Sequence, residues 1–155
     1  MTRGLISLAG HLPHWRLQRS SVADVLGGNQ GKGTRTVASY DEDAVTMAVA
    51  AGRIALAAAP QVTPHSLWLA TTSAPYAEKS SAPIAHAALR IDTDVIAADS
   101  AGGLLGENDS LRQALHSTDD AVLVLSGDVR TGPAGGPDER DGGDAGAALL
   151  VGDSD

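Results

Sequence analysis

Few groupings along this chain could do chemistry unaided. None of its 155 residues is a cysteine, so a thiolate nucleophile, a disulfide and a thiolate zinc site are all excluded. The run GNQGKGT at 28–34 resembles a phosphate loop, because Gly-rich backbone N–H groups next to a lysine can cradle phosphate oxygens. The pattern then fails. Leu26 stands where the first glycine belongs, Gly33 replaces the hydroxyl residue after Lys32, and no strand leads in. His11 and His14 would suit a shared metal ion only on a helix, which Pro13 breaks, and no carboxylate or thiol cluster is near in sequence. The acidic run DERDGGD at 138–144 misses the calcium-loop spacing and reads as a solvated loop. Ser126 closes an apolar run without the Gly-x-Ser-x-Gly elbow. These residues predict no metal site and no self-contained catalytic motif.

Composition narrows the classes further. A net charge of −8 without a basic cluster argues against nucleic acid and against an anionic membrane, both of which need concentrated Lys and Arg. The N-terminus has neither a charged leader nor a long apolar stretch, so the expectation is a cytoplasmic protein without a membrane span. Aromatic residues make up 3% of the chain and Phe is absent. Ala, Val, Leu and Gly must therefore fill the core, which brings elements close together.

The elements that would position any site alternate between strand and helix. Strands are predicted at 5–10, 66–72, 94–98, 121–126 and 145–151, the fourth having the clearest pattern. Helices are predicted at 22–26, capped by Ser20 or Ser21, and at 82–90 and 108–117. Residues 27–36 read as flexible, and 127–144, rich in Gly, Pro and Asp, as irregular. The longest helix is predicted at 39–59, opened by a Ser39-x-x-Glu42 capping box and ended by Pro60. Its apolar residues wrap most of its circumference, with Arg53 the only charge after the first turn. Such a helix should be buried on two sides, and one sheet covers only one. Five strands among helices predict one α/β domain over 1–155 with a mostly parallel sheet.

Four segments in register then suggest a family. DEDAVTMAVAA at 41–51, ATTSAPYAEK at 70–79, SGDVR at 126–130 and GGDAGAA at 142–148 resemble the N-terminal half of thiolase-superfamily proteins. The type they resemble is HMG-CoA synthase of archaeal and actinobacterial origin, and the order holds from Gly4 to Gly152. The resemblance implies half of a thiolase fold, a five-stranded mixed sheet with helices on both faces. It places the 39–59 helix in a central layer covered by a second half that this chain lacks. It also implies acyl-CoA or another acyl thioester as substrate, with no cofactor.

The same resemblance implies a damaged site. The family's cysteine nucleophile falls at Leu104 and its acid/base glutamate at Thr72. Leucine cannot attack a thioester and threonine is a poor base, while an unactivated hydroxyl at Ser100 is a weak substitute. Glu107 and Asp109 near the helix start would oppose a developing oxyanion. Candidate substrate contacts are Tyr76, Lys79 and Arg130. Two functional expectations follow. One is an enzyme subunit of transferase or lyase type that makes or breaks C–C bonds in acyl thioesters, by retro-aldol or partner-dependent chemistry. The other is a non-catalytic pseudoenzyme half that serves assembly. Expected partners are a second thiolase-type half or further copies of this chain, with an OB-fold and zinc-ribbon companion.

Overall fold

A computed structural model describes residues 2–27, 32–100 and 104–154. The chain order is β1 (Thr2–His11), β2 (Trp15–Gln18), α1 (Arg19–Leu26), β3 (Thr34–Val37), α2 (Ala44–Ala58), β4 (Ser66–Ala70), α3 (Ala82–Leu89), β5 (Ile96–Ser100), α4 (Leu104–His116), β6 (Ala121–Asp128), α5 (Pro137–Asp141) and β7 (Ala145–Ser154). Five strands form a mixed sheet in the order β1-β7-β6-β4-β5. The apolar runs β6, β4 and β5 are parallel, while β7 and β1 add antiparallel partners to the free side of β6. Helical crossovers join the parallel strands and place helices on both faces, α2 and α3 on one and α4 on the other.

The longest helix starts later than its sequence pattern predicts. Asp43 is the N-cap: its side chain accepts from Thr46 N at 2.7 Å, and Thr46 Oγ1 accepts from Asp43 N at 2.7 Å. The Ser39-x-x-Glu42 pattern closes a separate turn upstream, with Ser39 N donating to Glu42 Oε2 at 2.8 Å. A nearer cap with a reciprocal partner wins over one four residues earlier.

The second cover for α2 comes from this chain. Ala44, Val45, Met47, Ala48, Val49, Ala51, Gly52 and Ala55 are buried beneath the sheet and α3, leaving Thr46, Arg53, Ile54, Ala57 and Ala58 exposed. The all-round apolar pattern therefore needs no second half to explain it. Close approach has a local cause. Gly127 and Gly146 face each other across β6 and β7, directly under the first turns of α2. A Cβ on Gly146 would stand 2.7 Å from Ala48 N, and nearer still to the Met47 carbonyl.

Uncovered apolar surface lies on the α4 face instead. This helix packs on β4, β5 and β6, and the outer strand β1 exposes Leu5 and Leu8 beside Val151 and Leu149. Leu105, on α4 itself, is 69% exposed.

Two regions predicted to be irregular hold short elements. Strand β3 pairs with β2 in a separate two-stranded ribbon, and α5 lies within 127–144. An ion pair buried in the chain ties them to the main sheet. Asp144 accepts from Arg35 Nη2 at 3.2 Å, from Ala38 N at 2.8 Å and from Arg130 N at 2.8 Å. Tertiary bonds of this kind supply what a four-residue strand lacks locally. Among the described residues, no helix is long and apolar enough to cross a membrane.

Candidate active site

The parallel strands end together. Ala70 of β4 is in register with Ser100 of β5 and Ser126 of β6, so polar groups follow three apolar runs at one edge of the sheet. In open α/β sheets, the carboxyl ends of parallel strands form the usual ligand crevice. The segment after β4, the start of α4 and the segment after β6 border this edge.

Two cavities open there. The first, of about 400 Å³, is lined by Thr71, Tyr76, Lys79, Ser81, Asp99 and Ser100, among others. Lys79 Nζ stands 5.3 Å from the centre of the Tyr76 ring, in cation–π geometry, and both side chains are exposed. Ser100 Oγ donates to Gly106 O at 3.0 Å rather than to a carboxylate or an imidazole. Asp99 is occupied structurally, since its two oxygens accept from Ser81 N and Ala82 N at the start of α3.

The second cavity, of about 320 Å³, lies between α4, β6 and β7 and is lined by Glu107, Ser126, Asp128 and Arg130 with small residues of β7. Ser126 Oγ donates to Glu107 Oε1 at 2.6 Å. Glu107 belongs to the first turn of α4, where a negative charge also favours the helix end. Asp128 Oδ1 accepts from Thr72 N at 2.7 Å, Thr72 Oγ1 at 2.9 Å and Thr71 Oγ1 at 3.1 Å, with Ser73 Oγ at 3.4 Å. Arg130 pairs with Asp138 at 2.6 Å and reaches Thr72 Oγ1 at 3.3 Å.

The residues singled out from the sequence thus fall into two groups. Tyr76, Lys79 and Ser100 share the first cavity, whereas Arg130 lines the second and touches Thr72. Leu104 opens α4, and its side chain lies outside the described residues. Most of the 28–34 run also lies outside them. His11 does not pair with His14: its Nε2 meets Glu42 Oε1 at 2.7 Å, while His14 packs edge-on against Trp15. Among the described residues, no three His, Cys, Asp or Glu side chains are grouped to hold a metal ion. Asp128 was not singled out in sequence. Its signal was available, as the first acidic residue after the clearest apolar strand.

Comparisons with known proteins agree with this geometry. No protein-family model matches the chain. Hydroxymethylglutaryl-CoA synthase of Pyrococcus furiosus is 28% identical over 158 residues, covering 97% of this chain and 45% of that protein. The Pyrobaculum aerophilum protein of the same description is 30% identical over 169 residues, covering 96% and 46%. Along nearly its whole length the chain is therefore similar to one half of these HMG-CoA synthases. Solved structures match this half along its whole length. 3-Oxoacyl-(acyl carrier protein) synthase III of Pseudomonas aeruginosa superposes with a TM-score of 0.84 at 21% identity, covering 100% of this chain and 53% of that one. OleA of Xanthomonas campestris gives 0.77 at 17%, covering 98% and 55%. Likeness at these identities speaks for the fold. The thiolase half spans about half the length of the curated relatives it matches.

Proposed function

We propose that this thiolase half binds acyl thioesters such as acyl-CoA at the carboxyl edge of β4, β5 and β6 and takes part in C–C bond chemistry without an acyl-enzyme. The observation carrying this reading is the crevice itself. It gathers Ser100, Ser126, Glu107, Asp128 and Arg130, with Thr72 bonded to the last two, yet the chain has no thiol and, among the described residues, no hydroxyl is bonded to a histidine. Acyl transfer through an enzyme nucleophile needs an activated group, which Ser100 is not. Retro-aldol cleavage of a β-hydroxyacyl thioester needs only a base, a proton donor and charge stabilisation. Tyr76 and Lys79 on one side and Arg130 on the other are the proposed substrate contacts.

A second thiolase-type half, or another copy of this chain, is the proposed partner. The surface it would cover is the α4 face, where Leu5, Leu8 and Leu105 are 57%, 67% and 69% exposed. That exposed face also favours the second reading, a non-catalytic half kept for assembly, with an OB-fold and zinc-ribbon protein as the proposed companion. Calorimetric titration with acetyl-CoA, followed by intact-mass measurement, tests the main reading. Saturable binding without a covalent acetyl group is expected. Absence of binding, with and without the partner half, would leave assembly as the role, and a stoichiometric acetyl adduct within 99–110 would mean a working nucleophile.

A further inference from the structure

We propose that Asp128 is the general base of this crevice, acting on the hydroxyl or α-carbon proton of a bound acyl thioester. The proposal rests on the acyl-thioester reading above and assigns the proton transfer within it. The argument begins with an asymmetric carboxylate. Oδ1 of Asp128 is held by the Thr72 backbone N–H and by the hydroxyls of Thr71 and Thr72. Oδ2 has no hydrogen-bond partner among the described residues, and Asp128 lines the second cavity. One oxygen is therefore anchored, and the other is left to accept a proton. A base fixed in this way loses little freedom when it reacts, and fixed geometry is the larger part of an effective proton transfer.

The neighbouring groups fit the task. Glu107 is engaged with the Ser126 hydroxyl through Oε1 at 2.6 Å, whereas Asp128 is the cavity carboxylate fixed by a backbone N–H and two hydroxyls at once. Arg130 stands on the same lining with its guanidinium carried by Asp138, and it supplies positive charge for an enolate oxygen. Small residues, Gly143, Ala145, Gly146 and Ala147, form the remaining wall and leave room for a chain.

The step balances without a cofactor. For a β-hydroxyacyl thioester, Asp128 Oδ2 takes the hydroxyl proton as the bond between the α- and β-carbons breaks. The oxygen's electron pair becomes the carbonyl of the departing aldehyde or ketone, and the bonding pair becomes the thioester enolate. The proton on Asp128 then passes to the α-carbon, giving the shortened acyl thioester and restoring the carboxylate. Run backwards, the same base removes an α-proton from acetyl-CoA.

That reverse half-step gives the test, with acetyl-CoA as the probe. Full-length protein is incubated with acetyl-CoA in D₂O, and deuterium in the acetyl group is followed by mass spectrometry, alongside calorimetric binding. Wild type should exchange. Asp128→Asn keeps a carbonyl oxygen to accept from Thr71 and Thr72, so it should bind and melt like wild type but exchange about 10²- to 10⁴-fold more slowly. Asp128→Glu, which retains a carboxylate, should recover part of the rate. Equal exchange by wild type and a folded Asp128→Asn variant would overturn the assignment and leave the thioester reading intact. So would binding by wild type without exchange above the protein-free rate. Failure of wild type to bind acetyl-CoA would instead overturn the thioester reading, and the assignment with it.

Discussion

Gly146→Ala should be one of the most costly single-methyl additions in this protein, and the reason is local. The new Cβ would sit 2.7 Å from Ala48 N and closer to the Met47 carbonyl, whereas ordinary contact begins at 3.4 Å. Both obstacles are backbone of α2, so no side chain can swing aside. The helix would have to retreat from β7 by about 0.7 Å or more, across a contact that buries Met47, Ala48 and Ala51 completely. Overpacking of a filled core typically costs about 1–3 kcal/mol and occasionally more. For a domain of this size that corresponds to a fall in Tm of roughly 2–4 °C per kcal/mol. Gly4→Ala is the matched control, also in the sheet, where an added Cβ meets nothing within 4 Å. Urea and thermal unfolding followed by far-UV circular dichroism would measure both. A Gly146→Ala midpoint equal to that of Gly4→Ala would refute the claim that glycine sets the seat of α2.

Other outcomes follow from the same contacts. Asp144→Ala strands the Arg35 guanidinium, whose side chain is 8% exposed, and removes the acceptor for two backbone N–H groups, so it should destabilise by about 3–5 kcal/mol in urea unfolding. The His11 ring, and then the Ser39 N–H, hold the Glu42 carboxyl below its ordinary value. A depressed folded pKa gives stability that is full above the unfolded value of about 4.3 and is lost as pH falls through the folded one. Glu42→Gln should therefore flatten the acid limb of a plot of urea midpoint against pH. Leu104→Cys should not take up a covalent acetyl group from acetyl-CoA or condense it, because the Glu107 and Asp109 carboxylates in the following residues disfavour a thiolate there. A covalent acetyl group on that variant, or condensed product, would contradict this.

Much of the fold was legible because its elements are apolar runs with clear ends. The run at 121–126 makes up most of β6 and is buried from Ala121 to Leu125, and Pro60 stands within two residues of the end of α2. Errors arose where two local signals compete or where tertiary bonds decide. The Ser39-x-x-Glu42 pattern closes a turn of its own, and the helix starts at Asp43, where Thr46 returns the cap and the first turns seat over Gly127 and Gly146. Strand β3 is four residues long and owes its place to Arg35 bonding Asp144, 109 positions away. Alanine misled differently. On α2 it suggested a missing partner, but small side chains are what let the sheet and α3 both close on one helix.

The site was less legible, because its groups come together only through register. Ser100, Ala70 and Ser126 lie far apart in sequence and become neighbours when β5, β4 and β6 pair in parallel. Looking for replacements where the resemblance puts a cysteine and a glutamate directs attention to Leu104 and Thr72, neither of which carries reactive chemistry. The fold instead brings a carboxylate across from the next strand. Thr72 does not replace a base; it donates its N–H and hydroxyl to one, at 2.7 and 2.9 Å. Two donors on adjacent atoms of one residue orient a carboxylate more firmly than either alone, so Thr72→Val should loosen Asp128 while leaving its charge in place. If Asp128 works as assigned, Thr72→Val should retain acetyl-CoA binding and lose part of the α-proton exchange, with the pH profile unchanged. Were Asp128 only a clasp for the turn after β4, Thr72→Val would lower the melting temperature and leave exchange at the wild-type rate.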